Sequence, residues 1–356
     1  MIRILRRTSF SASIVVAFAV VPMVVFAAGG LSSGAKPPAS SHGPKRTPAP
    51  TIASTPTPTA APTLAITPPP TVPPTLPPTA PPTAPPTTPP SVVLVGAGDI
   101  ASCSSNGDEA TATLLDGIAG TVFTLGDNVY DNGTATEFTN CYGPSWGRAD
   151  IKSRTKPTSG NHDYNTAGAT GYFGYFGAAA GDPTKGYYAY DAGAWRVYVL
   201  NSNCSLIACT AGSAQEQWLR SDLAANPRAC VMAMWHHPRF SSGSQHGSST
   251  ATQALWQALY DNNADIVLTG HEHNYERFQP MTATGVIDNA RGLVEWVVGT
   301  GGRSHYGFGT IVSSSLVRNS DTYGVLEFTL SATSWSFTFV PEAGKSFTDS
   351  GSGTCH

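Results

Sequence analysis

The chain has 356 residues, of which 12% are charged, and 20 Lys and Arg against 23 Asp and Glu leave a formal net charge of −3. That balance offers no basic footprint for nucleic acid. The 6 cysteines contain no Cys-x-x-Cys pair, which argues against a thiolate metal site.

The N-terminus places Arg3, Arg6 and Arg7 before an apolar run from Ile14 to Phe26, followed by Ala27 and Ala28. This is the layout of a secretory signal peptide, predicted over residues 1–28. Pro22 interrupts a run already short of the roughly 20 apolar residues that a membrane-spanning helix needs. Arg6-Arg7 with Phe10 nearby leaves the general and twin-arginine export routes both open. Residues 29–90 are dominated by Pro, Thr, Ala and Ser in recurring Pro-Pro-Thr units. Such a composition buries no core and favours extended polyproline II, as a cell-surface stalk or a passive linker.

Residues 91–356 hold all the cysteines and suffice for one sizeable α/β domain. Val92 to Ala97 is an apolar run ending at Gly98-Asp99, and Thr121 to Leu125 repeats the pattern before Gly126-Asp127. Each reads as a buried strand, and Asp108 to Ala119 between them has helical spacing, which makes a β-α-β unit. Gly186 to Leu200 alternates as further strand. Ser213-Ala214-Gln215-Glu216 predicts a capping box opening a helix through Leu223. Cys230 to Trp235 is a strand ending in His236, Thr250 to Tyr260 a helix, and Asp265 to Leu268 a strand leading into Gly270-His271. Leu293 to Val298 and Tyr323 to Val340 add β structure. The sum predicts an α/β fold of two packed mixed β-sheets flanked by helices. An even cysteine count behind an export signal predicts disulfides. Cys204 with Cys209 is the first expected pair; Cys103 with Cys141 and Cys230 with Cys355 would follow by elimination, a connectivity that sequence leaves open.

Chemistry concentrates in five short blocks: Gly98-Asp99, Gly126-Asp127-Asn128-Val129-Tyr130, Gly160-Asn161-His162-Asp163, Trp235-His236-His237-Pro238 and Gly270-His271-Glu272-His273. Singly, each has an ordinary explanation as a turn, a helix cap or packing. Four of them follow directly on predicted strands, where open α/β sheets place ligand sites. A mixed set of oxygen donors and imidazoles suits zinc, manganese or iron, whereas calcium takes oxygen alone.

These ordered blocks resemble the calcineurin-like metallophosphoesterases, and within them the purple acid phosphatases. The resemblance runs from Gly98 to His273 and implies an α/β/β/α sandwich around two metal ions. Most members of the wider superfamily carry Asp-x-His in the first block, but here Asp99-Ile100-Ala101 has alanine at the histidine position. Tyr130 stands in its place as in the purple acid phosphatases, a hard phenolate suited to trivalent iron. The resemblance implies one metal on Asp99, Asp127, Tyr130 and His273, and a second on Asp127 as a bridge, Asn161, His236 and His271. It implies Fe3+ at the Tyr130 site with Fe2+, Zn2+ or Mn2+ at the other.

His237 is then a packing residue beside the ligand His236. His162 matches the family's phosphate-contacting histidine, and Asp163 either orients it or lies in a solvated turn. His246 falls where acid phosphatases keep a second catalytic histidine, although its Gly- and Ser-rich loop suits an exposed histidine equally. Arg303 and His305, after the glycines 299, 301 and 302, are candidates for substrate contact together with Asn161 and His162. Glu276 and Arg277 are expected to brace the histidine loop through an ion pair.

The implied activity is hydrolysis of phosphate monoesters by metal-activated hydroxide, without a covalent phosphoenzyme. A phosphodiesterase or nucleotidase on the same scaffold, and a non-catalytic secreted binding module, are the alternatives. The expected partner is a small phosphate ester, and the expected location is secreted or at the cell surface.

Overall fold

Strands buried on both faces carry continuous apolar runs, and the architecture is built around two groups of them. It is seen in a computed structural model that describes residues 90–356. Apart from Pro90, the expected signal segment and Pro/Thr-rich spacer lie outside the described residues. In the first sheet Val92–Ala97, Thr121–Thr124 and Thr155–Lys156 run parallel, with Val95 opposite Val122 and Phe123 opposite Lys156. Gly324–Leu330, Ser334–Pro341 and Ser350–Thr354 extend that sheet antiparallel from Val92–Ala97. The second sheet centres on four parallel strands, Trp195–Val199, Val231–Met234, Ile266–Thr269 and Val294–Val298. Tyr188–Ala192 closes one edge, and Tyr275–Phe278 with Ser315–Asn319 the other.

The two faces of the second sheet follow the period-two alternation of a strand. Val197, Val199, Met232, Met234, Ile266 and Leu268 join the core shared with the first sheet. Tyr198, Val231, Ala233 and Val267 face outward onto Leu219 and Leu223 of helix Ala214–Ala225 and Leu255, Trp256 and Leu259 of helix Gln253–Asp261. Each fully buried Val, Leu, Ile or Met side chain among them contributes roughly 1.5–3 kcal/mol. Trp296 of one sheet meets Phe328 and Phe337 of the other edge-on, at 5.4 and 5.1 Å between ring centres. This is the expected pair of packed mixed sheets with helices outside. Among the described residues no helix is long and apolar enough to cross a membrane.

Several local expectations shift. The first helix is Gly107–Gly117, because Ile118 already has extended backbone (φ −112°, ψ 112°). Ser213 does cap Ala214–Ala225 by accepting from the Glu216 N–H, but the Glu216 carboxyl reaches Gly212 N–H at 3.0 Å. Only half of the expected capping box therefore forms. A full one stands at Thr134 and Glu137. Residues 165–182, where the sequence marks no regular element, contain the helix Thr170–Phe176. Disulfides join Cys103 to Cys141, Cys204 to Cys209 and Cys230 to Cys355.

The expected Glu276–Arg277 ion pair does not form. The two are neighbours on strand Tyr275–Phe278, where successive side chains point to opposite faces. Glu276 instead accepts from Ser242 N–H and the Ser315 hydroxyl, and Arg277 pairs with Asp349 at 2.6 Å.

Candidate metal centre

The five blocks follow the C-terminal ends of parallel strands, Val92–Ala97, Thr121–Thr124 and Thr155–Lys156 in the first sheet and Val231–Met234 and Ile266–Thr269 in the second. Asp99, Asp127 and His271 hold left-handed backbone, with φ of 59°, 48° and 72°. Such conformations cost of order 1 kcal/mol or more in a residue with a Cβ and persist where the surrounding structure over-determines them. The adjoining glycines permit the close approach. A Cβ at Gly126 (φ 85°) would fall 2.6 Å from His236 Nδ1, and one at Gly270 would fall 2.6 Å from Asp99 Oδ2.

Two donor groups result, and they share one atom. Tyr130 Oη lies 2.8 Å from Asp99 Oδ1, 3.0 Å from Asp127 Oδ2 and 3.1 Å from His273 Nε2. Asp127 Oδ2 is also 3.2 Å from His236 Nε2, which in turn is 3.1 Å from both Asn161 Oδ1 and His271 Nδ1. The ligand atoms of Asp127, His236 and His271 all lie within 4.8 Å of one another. Asp99, Asp127, Tyr130, His236 and His273 are buried.

The outer contacts orient these groups. His236 Nδ1 lies 2.7 Å from the Leu125 carbonyl, so it carries the hydrogen and leaves the Nε2 lone pair facing the cluster. His273 Nδ1 lies 2.7 Å from Ser304 Oγ, a partner that can fix the same tautomer. The second oxygens of the carboxylates are held by backbone, Asp99 Oδ2 by His271 N–H at 2.8 Å and Asp127 Oδ1 by His162 N–H at 2.7 Å.

This donor set fits divalent and trivalent metals. Burial disfavours a charged His236, yet Asp127 and Asp99 raise it to about 9, so the two buried carboxylates demand a positive charge at that position. Burial would raise Asp127, but the charge of His236 holds it well below the usual carboxylate range. Burial and the neighbouring imidazoles hold His271 far below its ordinary value, which leaves a neutral lone-pair donor at 3.1 Å from another. Burial and the charges of Asp127 and Asp99 push the Tyr130 phenol well above its ordinary value, so only a strong cation would make it a phenolate here.

The remaining predicted residues surround this centre at different distances. His162 Nε2 stands 4.0 Å from Asp127 Oδ2, its ring 4.3 Å from Tyr130, while its Nδ1 meets the Asp131 carbonyl at 2.7 Å. Asp163 is buried and accepts from the N–H groups of Gly160 and Asn128 and from the Asn128 amide, so it braces the loop and is no solvated turn carboxylate. His246 is exposed, and its ring stacks on His271 at 4.0 Å. Arg303 places its guanidinium 5.1 Å from the Tyr130 ring centre and pairs with Asp131 at 3.1 Å. His305 is stacked on Tyr323 at 4.0 Å, and its buried Nδ1 has no partner among the described residues. His237 packs beside His271 at 4.4 Å, and burial with the charge of His236 lowers it to about 3.

Sequence reasoning missed three contributors. Tyr306 lies flat on His273, with ring centres 3.9 Å apart and planes 9° from parallel, and nothing in its surrounding sequence marks it. Ser202 accepts the N–H groups of His236 and His237 at 3.1 and 2.9 Å and touches His237 Nδ1 at 2.8 Å. It follows the strand Trp195–Val199, so a strand end without a titratable group carried the same positional signal. Glu272, between the two paired histidines, accepts the N–H groups of His246 and Gly247.

Residues 92–275 match the family model of the calcineurin-like phosphoesterases. An uncharacterised protein of Mycobacterium tuberculosis is 28% identical over 185 residues, covering 42% of this chain and 35% of its own length. Purple acid phosphatase 15 of Arabidopsis thaliana is 33% identical over 103 residues, 28% of this chain and 19% of that protein. This chain thus spans about a third or less of the length of these relatives. Among solved structures, purple acid phosphatase PPD1 from yellow lupin (Lupinus luteus) seeds superposes with a TM-score of 0.62 at 19% identity, covering 74% of this chain and 53% of that one.

Proposed function

The chain belongs to the calcineurin-like phosphoesterase family, and from that membership we propose that it is a two-metal hydrolase of phosphate monoesters, similar to the purple acid phosphatases. The single observation that carries the reading is Asp127 Oδ2, which stands between Tyr130 Oη at 3.0 Å and His236 Nε2 at 3.2 Å. One carboxylate oxygen is thereby common to two donor groups. Asp99, Asp127, Tyr130 and His273 would hold one ion, and Asp127, Asn161, His236 and His271 the other. Fe3+ suits the group with the phenolate, and Fe2+, Zn2+ or Mn2+ the one with two imidazoles and an amide.

When bound, such a pair of ions supplies Lewis acidity toward the phosphoryl oxygens and lowers the pKa of water enough for hydroxide to form near neutrality. The chain's own residues orient and neutralise the substrate. His162, at the rim, would donate a hydrogen bond to a phosphoryl oxygen, with its ring set by the Asp131 carbonyl. Arg303 would add positive charge on the same side, since its pairing with the exposed Asp131 is weak enough to exchange for a phosphate. His246, stacked over His271, would protonate the departing alkoxide. His305 has no part in this reading.

The basic-then-apolar N-terminus and the three disulfides support export to an oxidising compartment. The Pro/Thr-rich segment would then be a spacer at the cell surface. The test is metal content measured beside turnover of 4-nitrophenyl phosphate and its bis-ester. Two metal equivalents with a preference for the monoester support the proposal. Preference for the diester moves it to a phosphodiesterase, and a metal-free, inactive protein to a binding module.

A further inference from the structure

Three glutamates with no solvent exposure, Glu272, Glu276 and Glu295, all accept backbone N–H groups from one stretch of chain. Glu295 takes those of Arg239 and Phe240 at 3.0 and 2.9 Å, and Glu276 takes that of Ser242 at 2.8 Å. One oxygen of Glu272 takes those of His246 and Gly247 at 2.5 and 2.6 Å. Hydrogen bonds to a carboxylate are the strong ones, and two consecutive amides on one oxygen fix the orientation of the peptide between them. Among the described residues the other Glu272 oxygen is buried without a partner, and these two amides are the side chain's only hydrogen bonds. The loop is shaped to receive it, since a Cβ at Gly243 would fall 2.1 Å from the Glu272 carboxyl carbon.

The sequence position of Glu272 gives the contact its meaning. It lies between His271 and His273, so the turn that presents both imidazoles also fixes the loop above them. His246 is thereby registered on His271, ring to ring at 4.0 Å. We infer that Glu272 is a positioning residue, which clamps the His246 loop over the metal-binding turn and adapts the site to phosphate esters of poorly departing alcohols. The inference rests on the reading of His246 as the group beside the leaving oxygen. An activated aryl alkoxide leaves without a proton, whereas an alkyl alkoxide needs one in the transition state.

Five variants test it: Glu272→Leu, Glu272→Gln, His246→Ala, the Glu272→Leu/His246→Ala double and Gly243→Ala. Each is assayed on an alkyl monoester such as 2-glyceryl phosphate and on 4-nitrophenyl phosphate, and amide exchange is followed over residues 243–248. Glu272→Leu should speed exchange there about tenfold or more, because the amides lose their buried acceptor. It should lower the alkyl-to-aryl ratio of kcat/KM as far as His246→Ala does, by roughly tenfold or more. Glu272→Gln, whose amide oxygen still accepts, should stay within about threefold of the parent, and the double variant should match His246→Ala alone. Gly243→Ala, which forces the same contact apart from the loop side, should shift exchange in the same direction.

Unchanged exchange in both Glu272→Leu and Gly243→Ala overturns the inference whatever the activity. A Glu272→Leu loss that persists in full on top of His246→Ala overturns it as well. A ratio unmoved by His246→Ala refutes the leaving-group role of His246, while faster exchange in Glu272→Leu would still support the clamp.

Discussion

Glu295 makes the fold's stability depend on pH in a direction opposite to that of most carboxylates. Its side chain is fully buried, and burial, with the neighbouring charge of Glu276, raises it from 4.5 to about 8 against the opposing pull of the Phe240 and Arg239 amides and the Arg239 charge. The folded-state value lies above the unfolded one, so between about 4.5 and 8 the native protein binds more protons than the unfolded chain. The contribution is therefore fully present below 4.5 and is lost as pH rises through 8. A difference of one bound proton is worth about 1.4 kcal/mol for each pH unit it spans, which gives a loss of roughly 3 kcal/mol between about pH 5 and pH 8. Glu295→Gln lacks the titration, although its NH2 must face one of the two amides and so costs stability at low pH. Urea unfolding of both proteins at pH 5 and pH 8 isolates the effect, because every other titrating group cancels in the difference. The gap between parent and variant should narrow by roughly 3 kcal/mol from pH 5 to pH 8. A gap that stays constant or widens would refute the reasoning.

Asn161→Ala and His271→Ala should each remove about one metal equivalent and lower turnover by at least about a hundredfold, since each deletes a donor next to His236 Nε2. Metal analysis and 4-nitrophenyl phosphate assays check this, and a variant with full activity would contradict it. Replacing Cys230 and Cys355 by serine opens a loop closed across 125 positions, which predicts a loss of up to about 5 kcal/mol in urea unfolding. Asp349→Ala leaves Arg277 and the Tyr275 hydroxyl without the acceptor they share at 2.6 and 2.8 Å. It should cost about 3 kcal/mol by the same method, within the range for breaking a mostly buried ion pair.

The central strands are legible because parallel strands covered on both faces read as unbroken apolar runs, and each of Val92–Ala97, Val231–Met234 and Ile266–Thr269 leads to a candidate ligand. The candidate site is legible for the same reason, as its residues sit at strand ends in fixed order. Ser350–Thr354 is not, because Ser-Gly-Ser-Gly-Thr has little intrinsic strand preference. It forms an edge by pairing with Ser334–Pro341 and is pinned by the adjoining Cys355. Tyr275–Phe278 reads in sequence only as the tail of a histidine motif, which hides the opposite faces of Glu276 and Arg277. Tyr306 and Glu272 act through stacking and through backbone amides, contacts made across the fold that leave no spacing pattern in the chain.

The most direct test of the account is the visible absorption spectrum of the purified protein, recorded beside its metal content and repeated for Tyr130→Phe. Tyr130 lies within 3.1 Å of an oxygen of Asp99, an oxygen of Asp127 and Nε2 of His273, and under the proposed function it would bind ferric iron as a phenolate. The account predicts two metals per chain, at least one of them iron, and a coloured protein that loses its band in Tyr130→Phe. An active but colourless and iron-free protein, or a band that survives in Tyr130→Phe, would contradict it.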